Sequence, residues 1–177
     1  MTNHEAASEA STTAAAIAEL LAATIATLKK TGAPIEALGE LRRGRGVGRL
    51  RTAPALHPVG HAWRLGVLLL TADGELFATG EITRAIEPQV AVTNHSESAE
   101  RRREFRRAAV RGRFPEGETI NHGFTPIALD AESLAQSSGP LLIENGAVVV
   151  RWSASLGTRP LASYLADRTH LLTEDWA

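Results

Sequence analysis

Residues 62–86 read AWRLGVLLLTADGELFATGEITRAI. Asp73 and Gly74 separate two apolar runs in this stretch, and this dipeptide is typical of a two-residue β-hairpin turn, in which both central residues need positive φ. The turn predicts that Ala72 lies opposite Glu75. Because side chains alternate along a strand, one face of the hairpin is largely apolar and is predicted to be core. This face holds Trp63, Leu65, Val67, Leu69, Leu76, Ala78, Gly80 and Ile82.

The opposite face of this hairpin changes character along its length. It is apolar near the turn, where a cover is needed, and polar at the open end, where a ligand can be reached. The apolar part holds Leu68, Leu70 and Phe77, and the polar part holds Arg64, Gly66, Thr79, Glu81 and Thr83. We expect the apolar part to be covered by the narrow face of a later helix, around Phe105.

A second hairpin is predicted over residues 140–154, which read PLLIENGAVVVRWSA. Asn145 and Gly146 again favour a two-residue turn, with Glu144 opposite Ala147. Antiparallel hairpins combined with separate helices indicate an α+β fold. The order of elements also resembles a βββα unit used twice, although any series of hairpins and helices can produce that order.

The N-terminal region predicts an amphipathic helix from Thr13 to about Gly32, because its large apolar residues recur at spacings of three and four. Those residues are Ile17, Leu20, Leu21, Ile25 and Leu28. Such a stripe packs either on the rest of its own chain or on a second copy. The second alternative predicts a homodimer, and a homo-oligomer is therefore one of the expected states.

The remaining elements follow from local patterns. Ile35–Arg42 is interpreted as a short helix, Val47–Leu56 as a strand, residues 57–61 (HPVGH) as a turn, and the region after Pro160 as a helix. The chain is accordingly divided into a disordered N-terminus (1–12), a helical segment with a Gly/Arg-rich connector (13–46) and a single α+β domain (47–177).

An arginine-rich helix is predicted over residues 97–112, ESAERRREFRRAAVRG. Asn94 is interpreted as its N-cap and Gly112 as its end. Three acids are placed to pair with arginines three or four residues away. The expected pairs are Glu97 with Arg101, Glu100 with Arg103, and Glu104 with Arg107.

Composition restricts the chemistry and the compartment. Hydrophobic residues make up 44% of the chain, enough for a core, and the absence of cysteine excludes disulfides, thiolate metal ligands and thiol nucleophiles. The N-terminus does not resemble a signal peptide, and we expect no stretch of the roughly 20 apolar residues that span a bilayer. These features predict a cytoplasmic protein without a membrane partner.

Charge is unevenly distributed along the chain. Residues 41–113 hold fourteen arginines against seven acids, whereas residues 1–40 hold two lysines against five acids, and residues 114–177 hold three arginines against eight acids. A basic middle region favours an anionic partner or charge complementarity within the fold. Two sets of arginines are candidates for anion binding, one in the glycine-rich stretch and one in the arginine-rich helix. These are Arg45 and Arg49, and Arg102, Arg103 and Arg106.

A candidate ligand site is predicted at the polar end of the first hairpin, where Arg64 and Glu81 lie diagonally across one face. Histidines close to the ends of elements could join them, and these are His61, His95 and His122. No zinc framework such as H-E-x-x-H is present, so we assign no metal ligand.

The functional expectation is a binding or oligomerisation module without a recognisable catalytic framework. One alternative is binding of nucleic acid or a phosphorylated ligand through the arginines, with nucleic acid less favoured because exposed aromatic side chains are scarce. A second alternative is a small enzyme that uses Arg64, Glu81 and histidines. The sequence identifies no cofactor and no catalytic residue, and it leaves open whether the protein is an enzyme.

Overall fold

The structure, a computed structural model, describes residues 3–44, 52–88, 96–153 and 157–174, with side chains from residue 12 onward. Over these ranges the chain alternates short strands with helices. In chain order the elements are α1 (Asn3–Thr31), β1 (Glu36–Arg42), β2 (Ala55–Leu65), β3 (Leu68–Leu70), β4 (Leu76–Ala78), β5 (Glu81–Arg84), α2 (Glu97–Arg111), β6 (Thr119–His122), β7 (Thr125–Pro126), α3 (Ala131–Ala135), β8 (Leu141–Glu144), β9 (Ala147–Ser153), β10 (Gly157–Pro160) and α4 (Leu161–Glu174).

The chain divides into two compact units. Unit 1 contains Met1–Pro34, Trp63–Ala78 and Thr125–Ala177, and unit 2 contains Ile35–Ala62 and Thr79–Phe124. The strands described pair antiparallel, except that β1 and β6 run parallel. The predicted α+β class, with an N-terminal helix and a mostly antiparallel sheet, is confirmed. The βββα repeat and the three-segment division of the chain stay predictions.

Unit 1 has its own apolar core, built from α1, the strands β2, β3 and β4, the β8–β9 hairpin and α4. Leu68 and Leu70 are fully buried in it. The expectation that Phe105 would cover them is wrong, because Phe105 packs on the separate core of unit 2. The largest buried side chains of the unit 1 core include Ile17, Leu21, Leu28, Trp63, Leu65, Leu68, Leu70, Leu141, Leu161, Tyr164 and Leu165.

The first predicted hairpin forms with a different turn. Thr71 and Glu75 pair across a three-residue loop: Thr71 N–H donates to Glu75 O (3.0 Å), and Gly74 N–H donates to Thr71 O (3.2 Å). Gly74 takes φ +88°, as the last residue of such a loop requires. Leu70 therefore lies opposite Leu76, and the predicted pairing of Ala72 with Glu75 is wrong by one residue.

A further turn lies inside the run that was interpreted as one continuous strand. Gly66 adopts φ +65° and, with Val67, connects β2 to β3, so that Leu65 lies opposite Leu68. The hydroxyl of Tyr164 closes this turn, because it accepts from Val67 N–H (2.9 Å) and donates to Leu65 O (3.0 Å). The stretch is thus a three-stranded meander.

The second predicted hairpin is confirmed in its register. Glu144 lies opposite Ala147 and Leu141 opposite Val150, and Asn145 and Gly146 both have positive φ. Its flanking helix also forms, with Leu161, Tyr164 and Leu165 buried on one face of α4.

The predicted helix over Ile35–Arg42 is wrong, since this segment is β1. β1 lies between β2 and β6, and Ala37, Leu38 and Gly39 are buried there. Hydrogen bonds to two neighbouring strands outweigh the weak helical pattern of a seven-residue segment. The predicted turn at residues 57–61 is also wrong, because β2 runs through it. The pairing of β2 with β1 skips Val59, as at a β-bulge.

The arginine-rich helix forms as α2 and packs on unit 2. Its N-cap is Ser96, whose Oγ accepts from Ala99 N–H (3.3 Å); the predicted N-cap Asn94 is therefore wrong, and it lies outside the described residues. Gly112 is the C-cap, as predicted. The core beneath α2 consists of Ala37, Leu56, Ala85, Ala108, Ala109, Phe114 and Ile120.

The N-terminal helix is longer than its apolar stripe predicted. It begins at Asn3 rather than at Thr13, and whether residues 1–12 are disordered in solution stays a prediction. Within α1, Thr12–Thr31 is long and apolar enough to cross a bilayer by length and composition alone, with a mean hydropathy of 1.3. This corrects the expectation that no such stretch exists. Of the stripe, Ile17, Leu21 and Leu28 are buried within unit 1, and Leu20 and Ile25 pack partly buried against the same core, so the stripe no longer argues for a dimer.

Leu28→Ala is expected to destabilise unit 1 by about 2–5 kcal/mol, because Leu28 is fully buried and truncation leaves a cavity. Leu171→Ala is the matched control, since Leu171 is 52% exposed and its loss should change stability by less than about 0.5 kcal/mol. Denaturant unfolding of both variants measures the difference. Equal effects would contradict the packing of α1 on unit 1.

Tyr164→Phe is expected to cost about 1–3 kcal/mol, because it removes both hydrogen bonds that close the Gly66–Val67 turn. Ser163→Ala, an exposed change on the same helix, should be near neutral. Thermal and denaturant unfolding curves provide the test. A variant as stable as the parent would show that the hydroxyl does not hold the turn.

Candidate functional site

The candidate site is a pocket of about 360 Å³ between α2 and β5 in unit 2, which we call the α2–β5 pocket. β5 supplies one wall and α2 the other, with β6 and the start of β1 adding side chains. The lining residues are Glu36, Glu81, Ile82, Thr83, Arg84, Arg102, Phe105, Arg106, Thr119 and His122.

Strand register brings Glu81 and His122 together. β5 pairs antiparallel with β6, and Glu81 lies directly opposite His122, so both side chains point to the face that carries α2. His122 stacks on Phe105, with ring centroids 4.1 Å apart and planes inclined by 23°. Glu81 accepts an ion-paired hydrogen bond from Arg101, one turn before Phe105.

His122 is almost completely buried, with 4% of its surface exposed. Its ring makes no hydrogen bond to another residue in the described part of the chain, although it lines the α2–β5 pocket. Burial lowers the pKa of His122 most strongly, Glu81 raises it and Arg101 lowers it, and the net direction is downward. The imidazole is therefore neutral at neutral pH, with one ring nitrogen able to donate and the other able to accept.

The arginines of α2 fall into two groups. Four of them pair with carboxylates. Arg101 pairs with Glu81 and Arg103 with Glu100 (2.5 Å), while Arg107 (3.5 Å) and Arg111 (2.6 Å) both pair with Glu104. Arg102 and Arg106 are exposed, line the pocket, and make no ion pair or side-chain hydrogen bond with any other described residue. They are four residues apart and thus lie on the same side of the helix.

The back of the site is held by a buried amide. Asn121 is fully buried, and its Nδ2 donates to Glu36 Oε2 (2.7 Å) and to Ala37 O (3.4 Å). Glu36 is thereby tied to β6. Both carboxylates that line the pocket thus have a hydrogen-bond donor from the protein, whereas Arg102 and Arg106 have no carboxylate acceptor among the described residues.

Four predicted site residues converge in this pocket: Glu81, His122, Arg102 and Arg106. Three others, Arg103, His61 and Arg64, do not line it. Arg103 pairs with Glu100, and His61 is exposed on β2 with its Nε2 4.0 Å from Glu118. His95, Arg45 and Arg49 lie outside the described residues.

The predicted diagonal between Arg64 and Glu81 is wrong, because it assumed one long hairpin. Arg64 lies opposite Leu69 in unit 1, whereas Glu81 belongs to β5 and lies opposite His122 in unit 2.

Sequence reasoning placed Thr83 at the polar end of the first hairpin, but it missed the contribution of Arg101. Thr83 is buried on β5 and lines the pocket; its strand partner, Ile120, is distant in the sequence. Arg101 was expected to pair with Glu97 and pairs instead with Glu81.

Unit 1 contains a larger groove of about 830 Å³, bordered by α1, α3, the β8–β9 hairpin and α4. The residues described along it are uncharged, and most are small or apolar. It offers no charged group for recognition, so the α2–β5 pocket is the better candidate. Within the described part of the chain, no three His, Asp or Glu residues are grouped closely enough to hold a metal ion.

Comparison with known proteins adds no functional assignment, since the chain matches no family model, no curated protein and no solved structure.

Lowering the pH is expected to destabilise the protein through His122. The unfolded chain takes up a proton near the ordinary pKa of about 6.5, whereas the folded chain resists protonation because its pKa is lower. Stability is therefore complete above about pH 6.5 and falls as the pH is lowered from there to the folded pKa. Denaturant unfolding at a series of pH values measures this slope.

His122→Phe is the control for this prediction, because it keeps an aromatic ring against Phe105 and removes the titrating group. Its stability should decline less steeply than that of the parent below about pH 6.5. Identical slopes would show that His122 is not held neutral in the folded protein.

Proposed function

We propose that the protein is a non-catalytic binding module that takes a small anionic ligand, carrying a carboxylate or phosphate group, in the α2–β5 pocket. One observation carries the proposal: Arg102 and Arg106 line the same pocket and have no carboxylate partner among the described residues. Two guanidinium groups on successive turns of a helix can together donate several charge-assisted hydrogen bonds to one anion.

His122 supports the same proposal from the opposite wall. His122 lines the pocket, and its ring makes no hydrogen bond to another described residue. A ligand oxygen could accept from its ring N–H. Because the imidazole is neutral, its hydrogen bond would orient the ligand, while the arginines would supply the positive charge.

The ion pairs of α2 favour a small anion over nucleic acid. Binding along a nucleic-acid backbone needs many unneutralised cations in a row. On α2, four of the arginines already have carboxylate partners, and the two that have no partner in the described part of the chain share a single pocket. Positive charge is thus concentrated at one point rather than spread along the helix.

An enzyme is less well supported. Arg101 engages Glu81, which was the candidate base, and the Arg64 partner expected for it belongs to a different hairpin. The ion-paired carboxylate of Glu81 and the neutral imidazole of His122 can both recognise a ligand, and this role requires no proton-transfer step.

We propose a cytoplasmic location for this module. Within Thr12–Thr31 the side chains of Ile17, Leu21 and Leu28 are buried in the core of unit 1, although only 17% of this apolar window is buried. A helix that contributes to a protein core meets the same length and composition criteria. A homo-oligomer remains a separate proposal, for which α1 no longer provides an argument.

The double variant Arg102→Gln with Arg106→Gln is expected to bind anions at least about tenfold more weakly than the parent, because each lost charge-assisted hydrogen bond contributes about 1.5–3 kcal/mol. Calorimetric titration with inorganic phosphate and with succinate measures the affinities. Phosphate and succinate also distinguish a phosphate site from a carboxylate site.

The matched control is Arg107→Gln with Arg113→Gln, which removes the same charge from residues that do not line the pocket. Its affinity should stay within about twofold of the parent, since exposed charges at a distance are screened by salt. Equal losses in both double variants would indicate nonspecific charge attraction, and no saturable binding to the parent would refute the proposed function.

A further inference from the structure

The outer edge of β5 runs along the α2–β5 pocket. Among the described strands, β5 pairs with β6 alone, and it stands at the end of the order β5-β6-β1-β2 in unit 2. All of its residues, Glu81 to Arg84, line the pocket. A strand with one unpaired side presents backbone donors and acceptors to any extended chain that approaches it.

The backbone groups on this edge follow from the hydrogen bonds on the other side. Ala85 N–H donates to Glu118 O (3.0 Å), which continues the β5–β6 ladder. In an antiparallel ladder, alternate residues point their N–H and C=O groups to the same neighbour. Ile82 and Arg84 therefore point away from β6. The Arg84 carbonyl accepts from Ile86 N–H (2.9 Å). As far as the described residues go, this leaves Ile82 N–H, Ile82 C=O and Arg84 N–H for a new strand.

The side chains at this edge differ on the two faces of the sheet. Thr83 lies on the face that carries α2, and it lines the pocket together with Arg102 and Arg106. Ile82 lies on the opposite face and is 51% exposed. A strand added here would thus meet Arg102 and Arg106 on one face, and Ile82 together with Arg84 on the other.

We propose that the partner is an extended peptide in which acidic residues alternate with apolar ones, added to β5 as a new edge strand. Its carboxylates would meet Arg102 and Arg106, its apolar side chains would pack on Ile82, and its backbone would pair with Ile82 and Arg84. The proposal rests on the proposed function, because it takes the arginine pair as the anion site, and it names the molecule that carries the anion.

Charge complementarity selects this partner over a second copy of the chain. An antiparallel pair of two β5 strands would bring Arg84, Arg102 and Arg106 of both copies to one joint. There they outnumber Glu36 and Glu81, which line the same pocket, so that like charges repel. An acidic peptide neutralises the same arginines. Strand addition gives affinity through the backbone and specificity through alternate side chains, which matches a short edge beside a cationic helix.

The test uses the full chain and a short, blocked, fluorescent peptide in which glutamate alternates with valine. Fluorescence anisotropy should show saturable binding, and a peptide with lysine in place of glutamate should bind at least about tenfold more weakly. Amide hydrogen exchange at Ile82 and Arg84 should slow by at least about tenfold on binding, because a new strand protects these groups.

N-methylation of the peptide separates strand addition from charge attraction without altering the protein. Only alternate amides of an added strand face β5. Methylation of one alternate set should therefore weaken binding by at least about tenfold, whereas methylation of the other set should leave it nearly unchanged. Equal affinities for the two methylated peptides would overturn the proposal.

The outcomes also separate this proposal from the proposed function. If phosphate or succinate binds through Arg102 and Arg106 while the glutamate peptide binds no better than the lysine peptide, strand addition is wrong and the anion site stands. If Ile82 and Arg84 are already protected without peptide and lose protection on dilution, a second copy occupies the edge, and the proposal is wrong. If no anion binds, the proposed function itself is wrong.

Discussion

The geometry of the candidate site depends on the alternation of side chains along β6. Ile120 faces α2, where it completes the core of unit 2. Because side chains alternate along a strand, Asn121 lies on the opposite face and His122 lies on the same face as Ile120. Asn121 is tolerated at a buried position because Glu36 and Ala37 accept its hydrogens. Since β6 pairs with β5 on one side and β1 on the other, one register sets where Glu81, His122 and Phe105 meet.

Local signals predicted the parts of this structure that are formed by neighbours in sequence. The Asn145–Gly146 hairpin was predictable in register because its turn and both of its strands lie within one short stretch. The isolation of Arg102 and Arg106 could also be inferred from sequence: neither has an acid three or four residues away, whereas Arg103 and Arg107 do. Helical spacing thus separates the pocket arginines from Arg103 and Arg107, although not from Arg111, which pairs with Glu104 seven residues away.

Pairings between distant segments were not predictable in the same way. Nothing near Glu81 in the sequence indicates that it lies opposite His122, and the helical pattern of Ile35–Arg42 carries no sign of the two strands that flank it. The turn at Gly74 shows a finer limit. Asp-Gly suits two-residue and three-residue loops alike, and the choice between them shifts every later pair by one residue, which moves each side chain to the other face.

The Tyr164 hydroxyl bonds to Val67 and Leu65, which lie 97 and 99 positions earlier in the chain, and the second segment of unit 2, Thr79–Phe124, lies between them in the sequence. During synthesis from the N-terminus, both segments of unit 2 emerge before Leu141, Leu161 and Tyr164 are made. Unit 1 therefore cannot complete its core until the C-terminal segments have been synthesised. Until then, the apolar stripe of α1 lacks the side chains that cover it in the folded protein. The order of emergence makes unit 2 the part that is able to fold first, and it leaves α1 as the segment most in need of protection from aggregation in the nascent chain.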